Sequence, residues 1–178
     1  MHATVAPRSS LAQLRGMFAL LRPRQWVKNV FVFAPLIFAG EFLKLQSIEK
    51  VALAALIFCV ASSATYILND LTDIERDRRH PKKSKSRPLA SGLVSIPQAI
   101  TILLILYVAL LAAWFVMPAV LYVVLGYLLL NLAYTFVLKH QPVIDIFTIA
   151  IGFVLRVYAG AMALSVPGTF LPISILIS

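Results

Sequence analysis

Acidic side chains are scarce in this chain: seven Asp and Glu stand among 178 residues, and only 13% of the sequence is charged. A soluble domain carries roughly 25%, so a water-exposed globular fold is excluded. The one cysteine, Cys59, excludes an internal disulfide and, inside an apolar run, reads as a packing residue rather than a reactive one. The ten-residue alternation of an outer-membrane barrel is missing. A signal peptide is missing too, because the apolar patch at residues 17–21 is short and no small-residue cleavage site follows it. His2, His80 and His140 share no metal-ligand spacing, which sets zinc aside.

What the chain has is apolarity, 61% hydrophobic residues with a mean hydropathy of +0.91. Apolar runs recur near the length of about 20 residues that a helical span needs. The expected fold is all-α, a polytopic transmembrane helical bundle. Residues 1–25, with Arg8, Arg15, Arg22 and Arg24, read as a cytoplasmic tail with an interfacial helix, and residues 26–178 as the transmembrane domain. Trp26 suits the membrane interface. Five spans are expected at residues 27–42 (interrupted by Pro35), 51–69, 96–115, 119–138 and 143–164, with a sixth beginning at Thr169. That last run of about ten residues is too short to cross, so the chain is expected to be a piece of a longer protein or a truncated gene product. The net charge of +9 reads as topology rather than nucleic-acid binding. With the N-terminus inside, the outer connectors hold only Lys44 and Lys50 of the sixteen basic residues, as the positive-inside rule requires.

Four of the seven acids and seven of the sixteen Lys and Arg fall between Ser62 and Gly92. Asp70, Asp73 and Asp77 stand at i, i+3 and i+7, which puts three carboxylates on one face if the second helix continues through them. Asn69, Tyr66 and Ser62 extend that polar stripe. Oxygen ligands at this density suit Mg²⁺, which takes one or two carboxylates and keeps other positions for water and phosphate; the bland alternative is a solvated helix end paired with Arg76, Arg78 or Arg79. The loop beyond carries Arg76, Arg78, Arg79, Lys82, Lys83, Lys85 and Arg87, with Pro81 and Pro88 blocking a continuous helix. Alone, such a loop sets topology or holds lipid headgroups. Beside a metal site it suits a diphosphate.

Charges within spans tend to face a cavity. Asp145 and Arg156, with Thr148 and Gly152 between them, share one helical face about 16 Å long. Arg156 either draws in a phosphate or forms a structural pair or snorkels. Tyr127, Asn131 and Tyr134 form a second stripe. Lys28 and Asn29 gather at the cytoplasmic mouth with Arg22, Arg24 and Gln25, and Gly160 among alanines reads as a close helix contact.

The run NDLTDIERD, residues 69–77, resembles the NDxxDxxxD motif of the UbiA-type intramembrane prenyltransferases, and KSRPLASG resembles the segment that follows it there. Tyr134 and Lys139, in YTFVLKH, look like the family's Tyr and Lys after its fourth helix. RPRQWVKNVFVFAPLIFAGEF and KHQPVIDIFTIAIGFVLRVYAGA look most like the decaprenyl-phosphate phosphoribosyltransferase branch of actinobacterial cell-wall synthesis. The resemblance implies a nine-helix bundle, Mg²⁺ held by two acidic motifs of which the second lies beyond Ser178, phosphoribosyl pyrophosphate as donor and a polyprenyl phosphate as acceptor. Asn69, Asp70, Asp73 and Asp77 carry over as the first motif, the three aspartates as metal ligands. Lys28, Arg78, Arg79, Lys83, Lys85, Arg87, Tyr134, Lys139, Asp145 and Arg156 are the expected substrate and diphosphate contacts. The rival expectations are an aromatic prenyltransferase using a polyprenyl diphosphate, and a transporter without catalysis.

Overall fold

A computed structural model describes residues 10–138 and 142–164. Every regular element among them is helical. Four helices are long and apolar enough to cross a membrane: Leu45–Thr72, Ile96–Trp114, Pro118–Phe136 and Ile144–Leu164. The protein is a multi-pass membrane helical bundle. Residues 169–178, where a sixth span is expected to begin, lie outside the described residues.

Helix α1, Ser10–Leu20, buries Leu20 and leaves Leu11, Leu14 and Phe18 exposed. The chain turns at Arg22, which adopts a left-handed backbone (φ 52°) before Pro23. The first expected span differs from expectation here. It consists of a 3-10 helix, Pro23–Phe33, continued by the short α2, Ala34–Phe38. Its buried residues explain the winding: Asn29, Val32 and Pro35 are enclosed, and Trp26 is half-buried with its Nε1 donating to Ser63 Oγ at 3.0 Å. That stripe repeats every three residues, the period of a 3-10 helix and not the 3.6 of an α-helix. Eleven residues at roughly 2.0 Å and five more at roughly 1.5 Å reach about 30 Å, the thickness of a bilayer core.

Helix α3, Leu45–Thr72, is the central element, with 56% of its apolar window buried against 17% for the helix Ile96–Trp114. It begins six residues before the expected Val51. Its small residues Ala54, Ala61, Ser62, Ser63 and Ala64 are buried and let neighbours approach closely. Toward one end, Val51 and Phe58 pack with Val120 and Val124 of α7 (Pro118–Ala133) and with Ala159 and Ala163 of α8 (Pro142–Leu164). Toward the other, Ala64 and Ile67 pack with Leu20, Leu89, Val94 and Leu103. At roughly 1.5 Å per residue its 28 residues span about 42 Å, more than a bilayer core. The surplus carries Asn69 and Asp70 beyond the apolar layer.

Helix α3 stops at Thr72 and does not continue through the acid cluster. Asp73 breaks the helical run, and two short pieces follow, α4 at Ile74–Arg79 and α5 at Lys83–Ser86. Pro81 and Pro88 interrupt the loop as expected. Helix α6, Ile96–Trp114, then opens with a capping box: Gln98 N donates to Ser95 Oγ and Ser95 N to Gln98 Oε1 at 2.9 Å. Helix α7 ends in a widened π turn, Tyr134–Leu138.

Candidate phosphate-binding cavity and its ion cluster

The three motif aspartates are all buried, and each is paired with a cation. The Asp70 carboxylate, buried on α3, takes Arg22 at 2.5 Å and Arg87 at 2.9 Å through the same oxygen. Arg87 also pairs with buried Asp77. Lys83 Nζ stands 3.5 Å from Asp77 Oδ1, an ion pair without a hydrogen bond, so that oxygen is buried with no donor. Asp73 meets Arg76 at 2.8 Å. Arg22 also lies over the Tyr66 ring, 4.9 Å from its centroid. Asp70 and Asp77 thus hold the basic loop through Arg87, while Asp73 pairs with Arg76.

On the far side of Tyr66 lies a cavity of about 150 Å³, lined by Lys28, Tyr66, Tyr127, Asn131, Tyr134, Asp145, Thr148, Gly152 and Arg156 with Ile149 and Phe153. Both stripes expected on α7 and α8 line it in full. Tyr134 and Asp145 line the cavity together. Asp145 Oδ1 is buried without a hydrogen-bond partner among the described residues. At the other end Arg156 is 5% exposed. Its Nε donates to Asn29 Oδ1 at 2.8 Å and its Nη1 to the Gly152 carbonyl at 2.7 Å.

The structure thus brings Lys28, Tyr134, Asp145 and Arg156 together around one cavity, and Asp70, Asp77, Lys83 and Arg87 into one ion cluster. Arg78 pairs with Glu75 at 2.9 Å on the surface, Arg79 and Lys85 are exposed, and Lys139 lies outside the described residues. Arg22, Tyr66 and Asn29 are the residues whose weight the sequence conceals. Only Tyr66, one turn before Asp70, carries a local signal, since the other two act through contacts with distant helices.

Among the described residues no three Asp, Glu, His or Cys side chains cluster as one metal site. Mg²⁺ needs only one or two carboxylates, and Asp77 Oδ1, buried and without a donor, fits that need. Asp73 fits as well, since its partner Arg76 is 57% exposed and such pairs are weak. Asp70 does not, because its guanidinium partners are only 25% and 21% exposed and already supply its counter-charge.

Fold and site define a multi-pass membrane helical bundle whose cavity is lined by one carboxylate, Asp145, and two cations, Lys28 and Arg156. Residues 30–178 match the UbiA prenyltransferase family, and the chain belongs to that family. It is similar to the decaprenyl-phosphate phosphoribosyltransferases of Mycobacterium tuberculosis, 41% identical over 85% of this chain and 52% of the relative, and of Corynebacterium glutamicum, 40% identical over 88% and 48%. It is also similar to the nodulation protein NoeC of Azorhizobium caulinodans, 33% identical over 86% and 50%. The chain spans about half the length of these curated relatives.

Proposed function

We propose that the protein transfers a 5-phosphoribosyl group from phosphoribosyl pyrophosphate to a polyprenyl phosphate, decaprenyl phosphate by analogy with its relatives, and releases pyrophosphate. The reading further places the protein in the plasma membrane with its N-terminus in the cytoplasm, supplying cell-wall arabinan synthesis. The observation that carries it is the cavity in which Tyr134 and Asp145 stand with the cations Lys28 and Arg156. A transporter without catalysis has no need of such an arrangement beside seven loop cations.

In this scheme Asp73 and Asp77, with Asn69 of the same motif, would hold Mg²⁺, which would supply positive charge to a pyrophosphate leaving group. Lys83, Lys85 and Arg87 steady the diphosphate from the loop, Arg78 and Arg79 lie at its entrance, and Lys139 adds a further cation. Tyr134 and Asp145 orient the ribose hydroxyls. The bond from the anomeric carbon to pyrophosphate breaks, positive charge develops on that carbon, and an oxygen of the lipid phosphate bonds to it from the opposite face. No strong base is needed, because the acceptor is already an anion. Electrostatic stabilisation of the leaving group is the principal catalytic effect.

The test supplies labelled donor, decaprenyl phosphate and Mg²⁺ to the intact protein in membranes. Label is expected in the lipid phase with pyrophosphate released, and Asp73→Ala is expected to lower transfer at least about a hundredfold. Transfer that survives Asp73→Ala defeats the scheme. So does pyrophosphate release that depends on an aromatic acid in place of decaprenyl phosphate.

A further inference from the structure

The deep end of the cavity holds a charge that its surroundings do not neutralise. The partners of Arg156 are neutral: the Asn29 side-chain carbonyl, the Gly152 backbone carbonyl, and the Tyr127 hydroxyl at 3.4 Å. The rings of Phe58, Tyr127 and Phe153 surround the guanidinium at 5.0–5.7 Å. Among the described residues no carboxylate pairs with it. A desolvated cation without a counter-ion is expensive in a membrane interior, and such residues mark functional sites.

The cage around it is built to fix that group. Asn29 Nδ2 donates to Cys59 Sγ at 3.1 Å and to Ser62 Oγ at 3.4 Å, which turns its Oδ1 toward Arg156. Gly152 leaves room, since a Cβ there would stand 3.3 Å from Arg156 Nη1. Lys28 brings a second cation to the same cavity, and Ile149 and Phe153 give it an apolar wall.

We propose that Arg156 at the deep end of the cavity, together with Lys28 on its wall, forms an anion subsite that receives the phosphate monoester of the membrane-borne acceptor. The inference rests on the transferase reading and assigns the acceptor its place. Arg156 lies near the middle of the span Ile144–Leu164, a depth reached by a lipid-linked phosphate that enters beside an apolar wall. Its guanidinium lies on the stripe that leads through Gly152 and Thr148 to Asp145, so a phosphate held there faces the acid end.

The test measures thermal stabilisation of the intact protein in detergent by a short-chain isoprenoid monophosphate, without donor. The corresponding isoprenoid alcohol and ribose 5-phosphate serve as the other arms. The monophosphate is expected to stabilise the wild type, and Lys28→Gln and Arg156→Gln are each expected to weaken its binding roughly tenfold, the effect of losing a charge-assisted hydrogen bond. The alcohol is expected to bind all three alike. Lys28 is exposed, so Lys28→Gln decides the matter if Arg156→Gln fails to fold. Unchanged monophosphate affinity in the variants overturns the assignment. So does a loss confined to ribose 5-phosphate, which would give the subsite to the donor. Because no turnover is required, a wild type that binds the monophosphate through these residues yet transfers no label leaves the subsite standing and removes the transferase reading instead.

Discussion

The Asp70 carboxylate is enclosed between two guanidinium groups that are mostly shielded from solvent, whereas Asp73 meets an arginine that is 57% exposed. Shielding decides what each residue does. Asp70→Asn leaves Arg22 without its carboxylate and Arg87 with Asp77 alone, and is expected to cost about 1–3 kcal/mol of stability, with the larger fall in thermal midpoint. Asp73→Asn, whose partner Arg76 is exposed, is expected to lower that midpoint less while removing activity. Equal midpoints for the two variants would contradict the division. Asp70 is therefore a positioning residue in this scheme, holding the loop whose cations reach the diphosphate. The motif's spacing was legible in the sequence, but this division was not: Arg22 and Arg87 lie 48 and 17 residues from Asp70, and hydrophobic periodicity is silent on the path of an irregular loop.

Among the elements, the 3-10 helix Pro23–Phe33 and helix α8 meet at the closest backbone approach. A Cβ added at Gly160 would overlap the Val32 carbonyl, whose carbon lies 2.9 Å away, and would stand 3.2 Å from Pro35 Cδ. Backbone atoms cannot yield as a side-chain tip does, so Gly160→Ala is expected to destabilise the protein by about 1–3 kcal/mol. A thermal midpoint equal to wild type would show that the two elements part easily. The small-residue run around Gly160 announced this contact in the sequence. Helices α6, α7 and α8 were legible for a similar reason, since each is an apolar run bounded by proline or polar residues. The first crossing was misread because residues 27–42 were taken at the α-helical period, although Trp26, Asn29, Val32 and Pro35 already stand three apart.

For the whole molecule the charge distribution sets an orientation that labelling can check. With Cys59 replaced, Lys85→Cys is expected to react with an impermeant maleimide only from the cytoplasmic face, and Lys44→Cys only from the opposite face; the reverse pattern would invert the topology. The two stripes of the cavity could be read from single helices, because a helical period aligns them without help from the rest of the fold. The contact of the deep end with the first crossing could not, since Asn29 and Arg156 are 127 residues apart. That separation has a consequence in time. At a synthesis rate of roughly 5–20 residues per second, about 6–25 s pass between the emergence of Asn29 and that of Arg156. In that interval Ser62 and Cys59 of α3 can already hold the amide in its final orientation. The guanidinium then arrives in the bilayer to find its acceptor waiting, and the deep end of the cavity closes among the last parts of the described bundle.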